Sequence, residues 1–393
     1  MGNNLTTIVP SQILPIETYL RDYHTSIRSL GTTRFLKAAC VKSRASNSNY
    51  NRNNELSVVK VFVIPEELLK NNTVASKNFI KGLKIYKNYL NKLKDSLNLY
   101  TTPNLLPYNE IRVNLGDSQD LYADLHDGQF FSSGAQKNFG LDDQDNNFKN
   151  SNSNITGKNI ISAIYNLQHV NLIRPYKSQT LYDLVSEQNM SYIITIWIIY
   201  QILKVLEQLQ LAKINHLDIK LENFILSQDY WLQLTDFGIF KPELLPMTDP
   251  SIFNFYFDSS RRRACNIAPE RFVEDQKLKS DQAGNKILSD LKMVDTFSAG
   301  CCIYELLTGK PLFTLAEILN YKNSQNKEIP NFKTKFASIE NQQLKDLIKS
   351  MTSLNPSHRL PACEYLSNYQ EVLFPNIFYS DLYPVYSEKL IHC

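Results

Sequence analysis

The chain has 393 residues, 43% of them apolar and 21% charged, with a formal net charge of +3. That length is enough for one large two-lobed domain or two ordinary ones, each with its own core, and the near balance of charge argues against nucleic acid as the main partner. The six cysteines, at 40, 265, 301, 302, 363 and 393, form no C-x-x-C pair and no metal-ligand spacing, which predicts reduced thiols in a cytoplasmic protein.

The N-terminal residues MGNNLT fit M-G-x-x-x-[ST], the pattern for myristoylation of Gly2 once Met1 is removed. The competing reading is chance, because the pattern is short. A single myristoyl chain binds membranes only marginally, so a second contact would be required. No secretory signal opens the sequence.

Strand-like residues follow at 28–63: RSLGTTRFLKAACVKS, an asparagine-rich tip at 47–54, then ELSVVKVFVI. This reads as a hairpin with a polar connection. Apolar residues at helical spacing from Lys77 to Leu97 predict a helix. Residues 114–160 are polar and rich in Asn and Ser, and bury too little apolar surface to offset ordering, so they read as a disordered insertion. A long apolar helix is expected at 191–214. Its charge-free run, 192–203, is too short for a bilayer, which needs about 20 residues. Further helices are expected at 293–309 and 341–354. The expectation is an α+β, bilobal fold: an N-terminal segment 1–26, a small β-rich lobe 27–175 carrying the insertion, and a larger helical lobe 176–385.

Between helix and hairpin lies HLDIKLEN, residues 216–223. Phosphoryl transfer requires held phosphates, metal-borne positive charge and a carboxylate near the accepting hydroxyl. Asp218 offers that carboxylate. Lys220 offers a charge for the transferring phosphate. Asn223 offers a side-chain carbonyl for magnesium. Thirteen residues beyond Asn223 stands Asp236 of LTDFG, a second and charged magnesium ligand. The intervening FILSQDYWLQL reads as two short strands that would return Asp236 to Asn223. An aspartate alone in a loop is usually a turn former, and D-F-G alone is a coincidence. The joint spacing matches the protein-kinase signature H-R-D-L-x-x-x-N followed by D-F-G.

Ala268-Pro269-Glu270 matches the A-P-E that closes a kinase activation segment. DTFSAG, beginning at Asp295, resembles the D-x-W-x-x-G that opens the central helix of the large lobe, and Arg359 stands where kinases place the partner of the A-P-E glutamate. In the first lobe, VVKVFV resembles V-A-I-K, with Lys60 directed to the nucleotide phosphates. Base contacts would come from the hinge, Ile173, Arg174, Pro175 and Tyr176, which leaves ATP or GTP open as the nucleotide, with Mg and Mn both admissible. Small-molecule kinases share an H-x-D-x-x-x-x-N loop but lack the A-P-E and the D-x-x-x-x-G helix, so a protein-kinase-like domain is the better reading.

Three departures stand out. Gly31 is the only glycine between residues 3 and 81, so a G-x-G-x-x-G phosphate cradle is missing. The 77–97 helix has no glutamate to pair with Lys60. Leu217 replaces the arginine that receives a phosphorylated activation loop, which removes that route of switching. Together with MGNNLT, SLGTTRFLK, LTDFGIFKPELLP and FDSSRRRACNIAPERFVED (257–275), these features resemble the kinase-like regulatory subunit of the class III phosphatidylinositol 3-kinase complex, the vacuolar-protein-sorting kinase family. The resemblance runs from residue 1 to about 385. It implies a myristoylated serine/threonine-kinase-class protein on endosomal, Golgi-related and autophagic membranes, partnered by the lipid-kinase catalytic subunit. Family members usually continue into helical repeats and a β-propeller, so the chain reads as the kinase domain only. The basic triplet Arg261-Arg262-Arg263 is either a solvated loop or a dock for an acidic surface. Three readings remain: a regulatory subunit that binds nucleotide, a slow autonomous protein kinase, and a nucleotide-free scaffold.

Overall fold

A computed structural model describes residues 15–20, 24–32, 36–43, 56–63, 102–108, 110–114, 169–187, 190–238, 241–257, 263–274, 291–324 and 331–389. They form two compact units, Met1–Lys84 with Tyr108–Tyr176, and Ile85–Pro107 with Lys177–Cys393. The 77–97 helix, Gly2 and nearly all of the 114–160 insertion lie outside the described residues.

The first unit is an antiparallel sheet of β1 (His24–Thr32), β2 (Lys37–Ser43), β3 (Leu56–Val63), β4 (Glu110–Asn114) and β5 (His169–Pro175), in the order β1-β2-β3-β5-β4. The short helix α1 (Glu17–Leu20) adds Tyr19 and Leu20 to an apolar core with Val41, Val59, Val61 and Ile173. The first arm of the expected hairpin is two strands, not one. Gly31 at φ 132° leaves the ordinary strand region, the register shifts on either side of Arg28–Ser29, and Thr32 pairs with Lys37.

The second unit opens with β6 (Gln179–Thr180) and α2 (Leu181–Ser186), joined by a capping box between Thr180 and Asp183. Helix α3 (Tyr192–Leu211) is N-capped by Ser191. It ends before the expected residue 214 because Lys213 turns left-handed at φ 55° and the Ile214 N–H reaches back to the Leu209 carbonyl at 2.9 Å. This twenty-residue helix is apolar and long enough to cross a membrane, but 72% of that stretch is buried within the protein, which makes it a core helix. Next come β7 (Phe224–Leu226) and β8 (Leu232–Leu234), an antiparallel pair, then β9 (Leu245–Pro246), α4 (Pro250–Tyr256) and β10 (Phe272–Val273), with β9 and β10 parallel. The remaining α-helices among the described residues are α5 (Val294–Thr308), α6 (Leu315–Asn323), α7 (Phe332–Lys335), α8 (Gln342–Met351), α9 (Ala362–Asn368) and α10 (Tyr383–Lys389).

Residues 102–107, which fall within the 27–175 lobe of the sequence reading, cluster with the second unit. Leu234 donates its N–H to Asn104 O, and Leu106 donates to Leu234 O, both at 2.8 Å. Asn104 is fully buried and shares its Oδ1 with Gln208 of α3 and Tyr383 of α10. A polar network of this kind has no periodic signature in sequence.

Helices α5 and α8 approach closely at Gly300. A Cβ there would stand 2.8 Å from both Met351 Cβ and Thr352 Cγ2. Gly300→Ala is therefore expected to destabilise the protein by about 1–3 kcal/mol through overpacking. Denaturant unfolding checks this, and an unchanged midpoint would contradict it.

Candidate active site

The β7–β8 hairpin brings the two expected metal ligands together. Phe224 pairs with Leu234, and the Thr235 N–H donates to Asn223 O at 2.9 Å. Asp236 follows in a left-handed conformation, φ 66°, and is buried. Gly238 then donates its N–H to His216 O at 2.9 Å. Its Cα lies so close to the loop that a Cβ would stand 2.9 Å from Asp218 Cβ. Glycine is required here for close approach, and the contact sets the depth of Asp218 in the site.

Asp218 is held by three groups. Asn223 Nδ2 donates to Asp218 O at 2.7 Å and to its Oδ2 at 3.1 Å. Lys220 Nζ lies 3.6 Å from Oδ2, and Lys241 Nζ lies 2.8 Å from the same oxygen. Burial pushes the carboxyl up, but the charges of Lys220 and Lys241 and the Lys241 hydrogen bond outweigh it and bring the pKa down to about 2. Because this pKa is depressed, the stabilisation it gives is present above the unfolded value of about 3.9 and is lost as pH falls toward the folded value. Asp218 is thus ionised throughout the physiological range. Beside it lies a small open pocket lined by Lys220, Phe253, Phe257, Asn266 and Ile267.

His216 is fully buried, and burial lowers its pKa against the opposing charges of Asp295 and Asp218. The neutral ring fits its contacts: Nε2 lies 2.9 Å from Thr235 O as donor, and Nδ1 accepts the Asp218 N–H at 3.3 Å. Asp295, at the start of α5, accepts the His216 N–H at 2.6 Å and the Leu217 N–H at 2.9 Å. Burial raises the Asp295 carboxyl while His216, those two amides and Arg271 pull it down. Leu217 itself is left-handed at φ 66° and buried. The apolar side chain at the arginine position of the signature therefore packs into the core.

Glu270 and Arg359 form a bidentate ion pair, with NH1 to Oε1 at 2.6 Å and NH2 to Oε2 at 3.0 Å. Arg359 is 2% exposed, also donates to Ser353 O and Met293 O, and lies 5.0 Å from the Phe297 ring centre.

In the first unit, Lys60 sits in mid-β3 between Ala38 of β2 and Leu172 of β5. Ile173, Arg174 and Pro175 belong to the end of β5, paired with Val59, Val58 and Ser57. The Tyr176 N–H is already given to Leu56 O at 3.0 Å, so that amide is not a free donor for a base. Arg174 is buried and donates to Pro175 O at 3.1 Å. Of the basic triplet, Arg263 is described and exposed, at φ 56°. Arg261 and Arg262 lie outside the described residues.

Two residues were missed by the sequence reading. Lys241, three residues after Gly238, grips Asp218. Arg271, directly after Glu270, is buried behind the loop. Neither belongs to the kinase signature, and a basic residue just after D-F-G or A-P-E was the only available sign.

The donor set fits magnesium. Asn223 spends its amide nitrogen on Asp218, which leaves its carbonyl oxygen, and Asp236 adds a carboxylate. Magnesium is typically held by one or two protein oxygens and completed by water and substrate phosphate. Among the described residues no group of three or more His, Cys, Asp or Glu side chains forms a self-sufficient metal cage.

The protein kinase domain family matches residues 149–369. Curated relatives extend the match. The serine/threonine-protein kinase vps15 of Schizosaccharomyces pombe is 36% identical over 225 residues, 57% of this chain and 13% of that protein. The serine/threonine-protein kinase VPS15 of Saccharomyces cerevisiae is 37% identical over 216 residues, 54% of this chain and 14% of that protein. The probable serine/threonine-protein kinase vps15 of Dictyostelium discoideum is 30% identical over 383 residues, 96% of this chain and 15% of that protein. The chain thus spans a small fraction of the length of these relatives. With the loop, the hairpin and the Glu270–Arg359 pair in place, the chain belongs to the protein kinase family, and its domain is of the VPS15 serine/threonine-protein kinase type.

Proposed function

We propose that this chain is the kinase domain of a regulatory subunit of the class III phosphatidylinositol 3-kinase complex. Myristate on Gly2 and the catalytic lipid-kinase subunit would together hold it on endosomal, Golgi-related and autophagic membranes. It binds a nucleoside triphosphate, ATP or GTP, with magnesium or manganese. It transfers phosphate slowly to serine or threonine. In that reading Lys60 and Lys220 hold phosphates, Asn223 and Asp236 hold the metal, and Asp218 orients the acceptor hydroxyl.

The observation that carries slow turnover is the Lys241–Asp218 ion pair at 2.8 Å. An acceptor hydroxyl must compete with an ammonium already seated on the carboxylate it needs. Similarity to VPS15 kinases supports the vacuolar-sorting role. Co-expression with a class III catalytic subunit tests the assembly. Co-purification, with lipid-kinase output that falls when this chain is omitted, is the expected result. A catalytic subunit that neither binds the chain nor responds to it would defeat the proposal. Failure to find an acyl group on Gly2 by mass measurement of the cellular protein would remove the membrane anchor.

A second reading, an autonomous protein kinase, is favoured by the gathering of Asp218, Lys220 and Asn223 on one loop. Lys241→Met separates the two. For slow transfer limited by the ion pair, the substitution raises turnover by about threefold to tenfold, as expected when a competing ground-state contact is lost. It also shifts the acid limb of the pH profile upward, because burial of Asp218 is then opposed by Lys220 and fewer other charges. Lower turnover with an unmoved acid limb would speak for a kinase that uses Lys241 productively.

A further inference from the structure

Three stretches converge on one buried guanidinium. Arg271 is 1% exposed. Its NH1 donates to Leu217 O at 2.7 Å, its Nε to Glu243 O at 2.8 Å and its NH2 to Pro242 O at 2.9 Å. Its guanidinium carbon lies 5.2 Å from the centre of the Phe257 ring, and the same ring takes Lys241 Nζ at 4.8 Å. A buried arginine normally faces a carboxylate. Here three hydrogen bonds go to backbone carbonyls, one on the loop that carries Asp218 and two on the residues just after Lys241. Burial lowers its pKa while the carboxylates of Asp295, Asp218 and Glu243 oppose that, and a guanidinium keeps its charge under such opposition.

The geometry at Leu217 explains the use. A left-handed leucine is strained backbone, and such a residue persists only when its neighbours hold it. Asp295 takes the N–H groups on one side, and Arg271 takes the carbonyl on the other. The next residue is Asp218. The two donors to residues 242 and 243 fix the chain that carries Lys241 onto Asp218. The rigid fork of a guanidinium can serve three carbonyls at once; an ammonium cannot match that geometry.

We propose that Arg271 is a positioning residue that holds the Asp218 loop and the segment 241–257 in one fixed pose without any phosphate on the segment. Leu217 has removed the arginine through which a phosphate would act, and Arg271 supplies the restraint from the opposite side of the same peptide. Only its kinetic consequence rests on the proposed phosphotransfer. The structural consequence stands without it.

The test is hydrogen exchange on the full chain, read over residues 214–220 and 241–257, with helix 294–308 as internal reference. It compares the parent, the phosphatase-treated parent and Arg271→Lys. The expected result is identical protection before and after phosphatase, and exchange faster by about tenfold or more in both stretches of the variant, with the reference helix unchanged. In transfer assays on the Lys241→Met background, where the competing ion pair is already gone, adding Arg271→Lys lowers turnover by about tenfold with the nucleotide KM unchanged, as for a group that orients without binding. Loss of protection on phosphatase treatment would overturn the proposal. So would unchanged exchange in Arg271→Lys, or faster exchange in the reference helix as well, which would make Arg271 a general core residue. A parent that transfers no phosphate would count against the enzyme reading alone and leave the exchange comparison to decide this one.

Discussion

Asp236→Asn is expected to abolish the stabilisation that magnesium-nucleotide gives the parent chain. A ligand present at about 100 times its Kd stabilises by about 2.7 kcal/mol. Most of that should vanish when the charged metal oxygen is replaced by an amide. The argument rests on how few protein oxygens serve the metal. Asn223 has already committed its nitrogen to Asp218, so only its carbonyl remains, and Asp236 adds the formal charge. The substitution is nearly isosteric in a buried position, so the unliganded melting temperature should change little. Thermal unfolding with and without magnesium-nucleotide checks both parts. An equal shift in parent and variant would remove the metal role of Asp236. No shift in either would favour the nucleotide-free scaffold.

Arg359→Ala should destabilise the chain by about 3–5 kcal/mol, the cost of stranding a paired buried charge. Arg359 does more than neutralise Glu270. It ties Glu270, next to the A-P-E proline, to Ser353 after α8 and to Met293 before α5, and stacks against Phe297 within α5. Removing it unlinks three separate stretches in one step. Glu270→Ala should cost less than the arginine change, because its side chain is 15% exposed and the arginine would keep its two carbonyl bonds. Denaturant unfolding of the two variants ranks them. The reverse order, or a loss near zero for Arg359→Ala, would contradict this picture of the A-P-E anchor.

Much of the site was legible in sequence because kinase chemistry depends on short, local spacings. Asp218, Lys220 and Asn223 lie within six residues, and the two apolar strands that follow are marked by FIL and LQL on either side of a turn. The long helices were legible from their period, with their ends off by one to three residues where capping or a left-handed residue decided the stop. What escaped depends on contacts between distant stretches. Lys241 reaches Asp218 across 23 positions, and Arg271 reaches Leu217 across 54. Residues 102–107 joined the second unit through hydrogen bonds to β8 that no hydrophobic pattern announces. The first strand pair was read as a single arm because one glycine at positive φ looks like any other glycine in a sequence.

Leu217 sharpens the lesson. At sequence level it is a missing arginine, and so a missing switch. In the fold it is a buried left-handed residue clamped from both sides, with Asp295 on its N–H and Arg271 on its carbonyl. The departure from the signature is thus accompanied by a restraint supplied elsewhere in the chain. That is the arrangement expected of a domain kept in one pose.

The central claim is that Asp218 serves phosphoryl transfer. The direct measurement is transfer of labelled γ-phosphate to the chain itself and to a generic serine/threonine substrate, with magnesium and with manganese, by the parent and by Asp218→Ala. Slow transfer by the parent is expected, with a loss of about 100-fold or more in the variant, the range for removal of a positioned acid–base group. Equal transfer by both, or none by either folded protein, would contradict it.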